Sequence, residues 1–127
     1  MQGRINEILS THAGGIQVAW NEIAWNDGAI VLTLSPDNIG VAPLAVGNCP
    51  SGSFCAYDGA NYSGNRLAFT TCPSTNDVSP LGKAVRSIAN SRTSGSIQAR
   101  NGSTVVHTIS ANSGLNTTST ISHLVCS

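Results

Sequence analysis

Two tyrosines, Tyr57 and Tyr62, stand with four residues between them, and Gly64 follows one residue after the second. Few spacings constrain a chain so tightly. They suit a folded hairpin corner in which Tyr57 ends a strand and lays its ring over the turn while Tyr62 packs beneath it. Gly64 then takes a backbone position where a Cβ would clash. Val85, Arg86, Ser87, Ile88, Ala89 and Asn90 follow at a distance that suits a next strand crossing behind such a corner.

Composition bears on the compartment. Asp, Glu, Lys and Arg make up 9% of the 127 residues, against roughly a quarter in ordinary soluble domains. The polar surface must therefore come from Ser, Thr, Asn and Gly. The formal net charge is zero, which gives no basis for steering toward nucleic acid or acidic lipid. No Asp or Glu follows Asp77, whereas Lys83, Arg86, Arg92 and Arg100 do, so the second half is mildly basic. That asymmetry reads as a solvated face.

The four cysteines, Cys49, Cys55, Cys72 and Cys126, read as two disulfides formed in an oxidising compartment. Three connectivities are open. The favoured one joins Cys49 to Cys55 and Cys72 to Cys126, with loop-closure contributions of about 2 and about 4 kcal/mol. A zinc site is the rival reading, but no second close pair of Cys or His completes a tetrahedral set. No run is long enough to span a membrane as a helix, and Met1 reads as a start placed on a mature secreted chain.

Three segments are expected. In residues 1–35, Ile5, Ile8 and Leu9 suit one short helix that ends at Gly14 and Gly15. Ile16, Val18 and Trp20 then alternate as a strand, and Glu22 to Trp25 with Ala29 to Leu34 suit a hairpin turning at Asp27 and Gly28. Residues 36–48, with Pro36, Gly40, Pro43 and Gly47, read as a linker. Residues 49–127 read as a β domain with strands at 54–57, 66–71, 85–89, 96–100, 104–109 and 121–126. Asn101 and Gly102 supply a hairpin turn. The sequons at Asn61, Asn101 and Asn116 would take glycans only in a eukaryotic secretory pathway.

The stretch from Cys49 to Cys126 resembles the bacterial secreted peptidase-inhibitor family that has a βγ-crystallin fold. The residues that carry the likeness are Cys49, Pro50, Gly52, Phe54, Cys55 and Tyr57, then Tyr62, Ser63 and Gly64, and finally Ser87, Ile88, Ala89 and Asn90. Arg4 to Ile8, with Asn21, Glu22, Ile23 and Trp25, resembles the lead-in of some secreted members. The resemblance implies an all-β, βγ-crystallin-like Greek-key sandwich with an N-terminal helix-plus-hairpin extension. It also implies an extracellular protein that blocks a protease.

The same fold often binds calcium, through two acidic or amide positions and two hydroxyls ahead of a core Ile or Val. Aligned on Ser87 and Ile88, those positions hold Gly82, Lys83, Ala84, Val85, Arg86 and Ser87. Lys83 and Arg86 place positive charge where a hard cation needs anionic oxygen. The corresponding stretch in the second half, residues 115–120, keeps Asn116 and hydroxyls only. No metal or other cofactor is expected, although Asp58 and Asn61 keep a weak loop site open.

Catalysis has little support. His12, His107 and His123 lie in three different segments, where strand or surface filler is the simpler reading than a zinc triad. No serine sits in a nucleophile elbow, and a cysteine nucleophile would require a free thiol. Glu22 and Asp27 flank a hairpin strand and read as a solvated edge rather than a catalytic pair. Trp20 and Trp25 could stack a sugar, but aromatics in an alternating strand are usually core.

Two functions from different classes remain. A protease inhibitor would hold a rigid loop in the enzyme's cleft, and the candidate stretches are 58–65, 77–86 and 112–116. Asp58, Asn61, Val78, Leu81, Lys83 and Arg86 are the candidate contacts. Lys83 or Arg86 would suit a trypsin-like pocket, and Val78 or Leu81 a metalloprotease subsite. The alternative is a secreted interaction module: an antimicrobial protein, a cell-surface or carbohydrate binder, or an adaptor of an extracellular assembly. Either way the expected partner is an extracellular protein or surface.

Overall fold

A computed structural model describes residues 2–25, 28–34, 49, 52–70 and 76–126. The expected linker at 36–48, the turn at Asp27 and the cysteine Cys72 lie outside them.

The chain opens with helix α1 (Gln2–Thr11). Ile5 is fully buried, and Ile8 and Leu9 pack against the core from the same helix face, as the i, i+3, i+4 spacing requires. Three strands follow, β1 (Ile16–Ala19), β2 (Glu22–Trp25) and β3 (Ile30–Thr33). Gly14, at φ 88°, lies in the turn from helix to strand. A Cβ on Gly15 would collide with Ile23 and Trp25.

The rest is strand: β4 (Phe54–Gly59), β5 (Ser63–Phe69), β6 (Asn76–Asp77), β7 (Ser87–Asn90), β8 (Ile97–Asn101), β9 (Thr104–Ile109), β10 (Ser113–Asn116) and β11 (His123–Cys126), with a 3₁₀ turn at Ser79–Leu81. These make two antiparallel sheets. One runs β1-β2-β3-β5-β4-β7-β10 and the other β6-β11-β8-β9. Taken as two consecutive four-strand units, β4–β7 and β8–β11, each unit gives its third strand to the other's sheet. The hairpin β2–β3 extends the larger sheet because β3 pairs with β5, Ile30 opposite Phe69 and Thr33 opposite Arg66.

Period-2 alternation sorts the faces. Phe54, Ala56, Leu67, Phe69, Ile23, Leu32 and Ile88 point from the larger sheet into the main core, where Ile97, Ala99, Ile109 and Leu124 meet them from the smaller one. Phe54 and Phe69 are register partners and stack with centroids 5.2 Å apart. The alternate residues Cys55, Tyr57, Ala68 and Ala89 face the other way and form a second small cluster with Cys49. The Cys49–Cys55 disulfide closes over it, with Cα atoms 5.9 Å apart. Cys126 is also disulfide-bonded.

Several details differ from the sequence expectation. Residues 113–116 are not a loop: they form β10, with Leu115 opposite Ile88 on β7. Asp77 lies in β6, paired with His123. In the β8–β9 hairpin Asn101 pairs with Thr104, so the turn is Gly102 and Ser103, one residue later than an Asn-Gly turn, with Gly102 at φ 63°.

Candidate functional site

The corner between β4 and β5 is built around one hydroxyl. Asn61 and Tyr62 sit at φ 57° and 59° and Gly64 at 79°, three left-handed positions in one short turn. Only glycine adopts that region without cost, so other bonds must hold Asn61 and Tyr62 there. Ser87, on β7 and fully buried, accepts the Tyr62 N–H through Oγ at 3.0 Å and donates to the Gly59 carbonyl at 2.7 Å. Asp58 Oδ1 accepts the Asn65 N–H at 2.8 Å, and a Cβ on Gly64 would land on that carboxylate.

The rings meet edge to face, centroids 5.8 Å apart at 68°. Their order is the reverse of the expected one. Tyr57 is the buried ring, and Tyr62 is half exposed outside it. The cause is that Tyr57 alternates with Phe54 and Ala56 and so points to the second cluster, away from the main core.

The turn is also tied to β10. Asn116 Oδ1 accepts the Asn61 N–H at 2.8 Å, and Asn116 Nδ2 donates to Asn61 Oδ1 at 3.0 Å. Asp58 and Asn61 are therefore engaged in holding the corner.

The chain between β6 and β7 alternates anchor and exposure. Asp77 Oδ1 accepts the Ser79 N–H at 2.8 Å. Pro80 supplies a preset φ near the start of the 3₁₀ turn, and Gly82 ends it at φ 76°. Val78 (6% exposed) and Leu81 (4%) are core side chains. In this structure they face the core rather than solvent, where burial of an apolar side chain is favourable. Val85 is likewise buried, at 1%.

Gly82, Lys83 and Ala84 stand exposed between these anchors. Among the described residues, Lys83, Ala84 and Val85 make no hydrogen bond to the rest of the chain. Two hollows flank them, one against α1 with Arg4, Glu7 and His12 in its wall, the other against Ile121 and Ser122. Arg86 is different. Its side chain is exposed, but its N–H donates to the Tyr57 carbonyl and its carbonyl accepts the Thr117 N–H, both at 2.8 Å. Lys83 is on a bridge, Arg86 on a pinned strand entrance.

The remaining candidates are dispersed. His12 contacts the edge of Trp25, His107 Nε2 lies 2.9 Å from Thr117 Oγ1, and His123 Nδ1 lies 2.8 Å from Ser122 Oγ. Among the described residues no three His, Cys, Asp or Glu side chains cluster as metal ligands. Glu22 accepts from Thr33 at 2.7 Å, Thr33 accepts from Arg66 at 3.1 Å, and Arg66 lies 3.9 Å from Glu22. These three are register neighbours on β2, β3 and β5, so Glu22 braces the sheet. Trp25 is a core residue at 8% exposure, whereas Trp20 is 61% exposed, and the two form no common platform.

Nothing in the residue order signals the Asn61–Asn116 pair, which joins residues 55 positions apart. The pinning of Arg86 was equally hidden, since it depends on Thr117 from the second unit.

No curated protein and no solved structure matches the chain significantly. The sequence profile of peptidase inhibitor family I36 matches residues 42–105, a stretch that includes the corner, the 3₁₀ turn, the exposed bridge and Ser87. That match covers half of the 127 residues, and the chain therefore belongs to peptidase inhibitor family I36.

Proposed function

We propose that this chain is a secreted inhibitor of a trypsin-like serine protease, with residues 82–84 entering the enzyme's cleft and Lys83 filling the specificity pocket. The single observation that carries the reading is the placement of Lys83: exposed, without a hydrogen bond among the described residues, and two positions from a buried anchor on either side, Leu81 and Val85. A loop fixed at both ends loses little freedom on binding. If the bond after Lys83 is cut, burial of Leu81 and Val85 keeps the new ends together, so release is slow and religation competes.

The scaffold we read here is a βγ-crystallin-like Greek-key pair. The exchange of β6 and β10 between sheets and the Tyr57–Tyr62–Gly64 corner closed by Ser87 support it. Low charge and disulfide use support secretion.

The test titrates the oxidised protein against trypsin-like, subtilisin-like and thermolysin-like proteases. The expected result is stoichiometric inhibition of the trypsin-like enzyme, slow cleavage after Lys83, and loss of at least about a hundredfold in affinity for Lys83→Ala, the size of a hot-spot truncation. Inhibition of the thermolysin-like enzyme alone, or unchanged inhibition by Lys83→Ala, would overturn the loop assignment.

A second reading, the secreted interaction module, draws on the sheet's outer strand. Ile16, Val18 and Trp20 are 68, 57 and 61% exposed on β1 and the turn after it. Exposed apolar side chains at a sheet edge suit a contact surface. Failure of all three proteases to be inhibited would move the assignment there.

A further inference from the structure

We infer that the hollow beside Arg86 is a binding site for a tetrahedral oxyanion, a phosphate or sulfate group. The hollow holds about 590 Å³ and is lined by Ala60, Arg86, Asn116, Thr117 and Thr118. It lies where the β4–β5 corner, the entrance to β7 and the end of β10 converge, three segments that are far apart in sequence.

Its walls are fixed by bonds already in place. Asn116 is engaged with Asn61 on both sides of its amide. Thr117 Oγ1 accepts the Ser119 N–H at 3.0 Å and meets His107 Nε2 at 2.9 Å. The Arg86 backbone is held on both sides by Tyr57 and Thr117. What is left to meet a ligand is the Arg86 guanidinium and the Thr118 hydroxyl. Both are exposed, and neither has a hydrogen-bond partner among the described residues.

All of these free groups are donors, or can be. A guanidinium offers a planar fork of N–H groups that matches two oxygens of a phosphate or sulfate, and a hydroxyl adds a third contact. No carboxylate lines the hollow, and among the described residues Arg86 is the charged side chain that does. The lining thus favours an anion over the cation that oxygen-rich walls would otherwise admit. Arg86 and Thr118 come from the two different four-strand units, so the site exists only in the assembled sandwich.

The experiment is an amide chemical-shift titration of the whole oxidised protein with inorganic phosphate, sulfate and glycerol phosphate, each against sodium chloride at equal ionic strength. Saturable shifts at residues 86 and 116–118, half complete at millimolar concentration, are expected for free anion and ester alike. If only glycerol phosphate saturates, the site reads an ester rather than the free ion. Arg86→Gln should weaken binding by about tenfold or more, the size of one charge-assisted contact. Lys83→Gln should leave it unchanged, which separates this site from the protease loop. Shifts reproduced by chloride, or equal in the folded Arg86→Gln variant, would overturn the assignment.

Discussion

Replacing Ser87 by alanine tests whether one hydroxyl holds the corner. Its Oγ is an acceptor for the Tyr62 N–H and a donor to the Gly59 carbonyl. Two such bonds contribute about 1 kcal/mol each in net terms. Both bonds are part-buried, so the net value of the bonds is used rather than the full burial penalty. The expected loss is therefore about 2 kcal/mol, which for a domain of this size lowers Tm by roughly 8 °C. Urea unfolding should show a lower midpoint with an unchanged slope. Hydrogen exchange supplies the local readout: the Tyr62 amide should lose protection, while the Ile88 and Ala89 amides, which lie within the β7 ladders, keep theirs relative to the global loss. A change below about 0.5 kcal/mol, or a Tyr62 amide that exchanges as before, would show that the turn is held by its ring contact and not by Ser87.

Other substitutions probe neighbouring features. Gly64→Ala places a Cβ at φ 79° and onto the Asp58 carboxylate; it should cost about 2–4 kcal/mol, read by thermal unfolding, and a neutral result would contradict the turn geometry. Asn76 on β6 is 2% exposed, and among the described residues neither polar atom of its amide has a partner. Asn76→Leu, which keeps the branching and removes both polar atoms, should stabilise the protein by about 1–3 kcal/mol, seen as a raised urea midpoint; a lowered midpoint would mean that the amide is satisfied in solution or that the larger methyls do not fit.

What could be read in the residues, and what could not, divides along physical lines. Strands β4, β8 and β9 are marked by short runs rich in apolar and β-branched residues between turn residues, and α1 by its Ile5, Ile8, Leu9 stripe. Strands β6 and β10 do not. Asn76, Asp77, Ser113, Gly114 and Asn116 have little intrinsic strand preference, and they are strands because β11 and β7 offer open edges to pair with. The exchange of these strands between sheets is a tertiary fact with no local signature. Val78 and Leu81 looked like loop side chains because Pro80 and Gly82 mark a turn, yet a turn that passes over a core uses its apolar residues as anchors. Lys83 and Arg86 looked equivalent. Only the Tyr57 and Thr117 backbone bonds, made by distant parts of the chain, separate the free bridge from the pinned residue.

The first 34 residues give the last test, because their packing decides whether they can be removed. Ile5, Ile23, Trp25, Leu32 and Leu34 all belong to the main core, and burial of a side chain of this size contributes about 1.5–3 kcal/mol. The β3–β5 pairing also covers the edge of β5 from Arg66 to Phe69, and an uncovered edge of Leu67, Ala68 and Phe69 is a template for pairing with another chain. A chain cut to residues 49–127 should aggregate or unfold, since it loses both the core contribution and the edge cover. The measurement is sedimentation together with near-ultraviolet circular dichroism. A monomeric 49–127 fragment with the stability of the whole chain would mean that the helix and hairpin are a separable arm. The shared core would then be an incidental docking, and the exposed Ile16, Val18 and Trp20 would become the part of the molecule whose purpose most needs a partner.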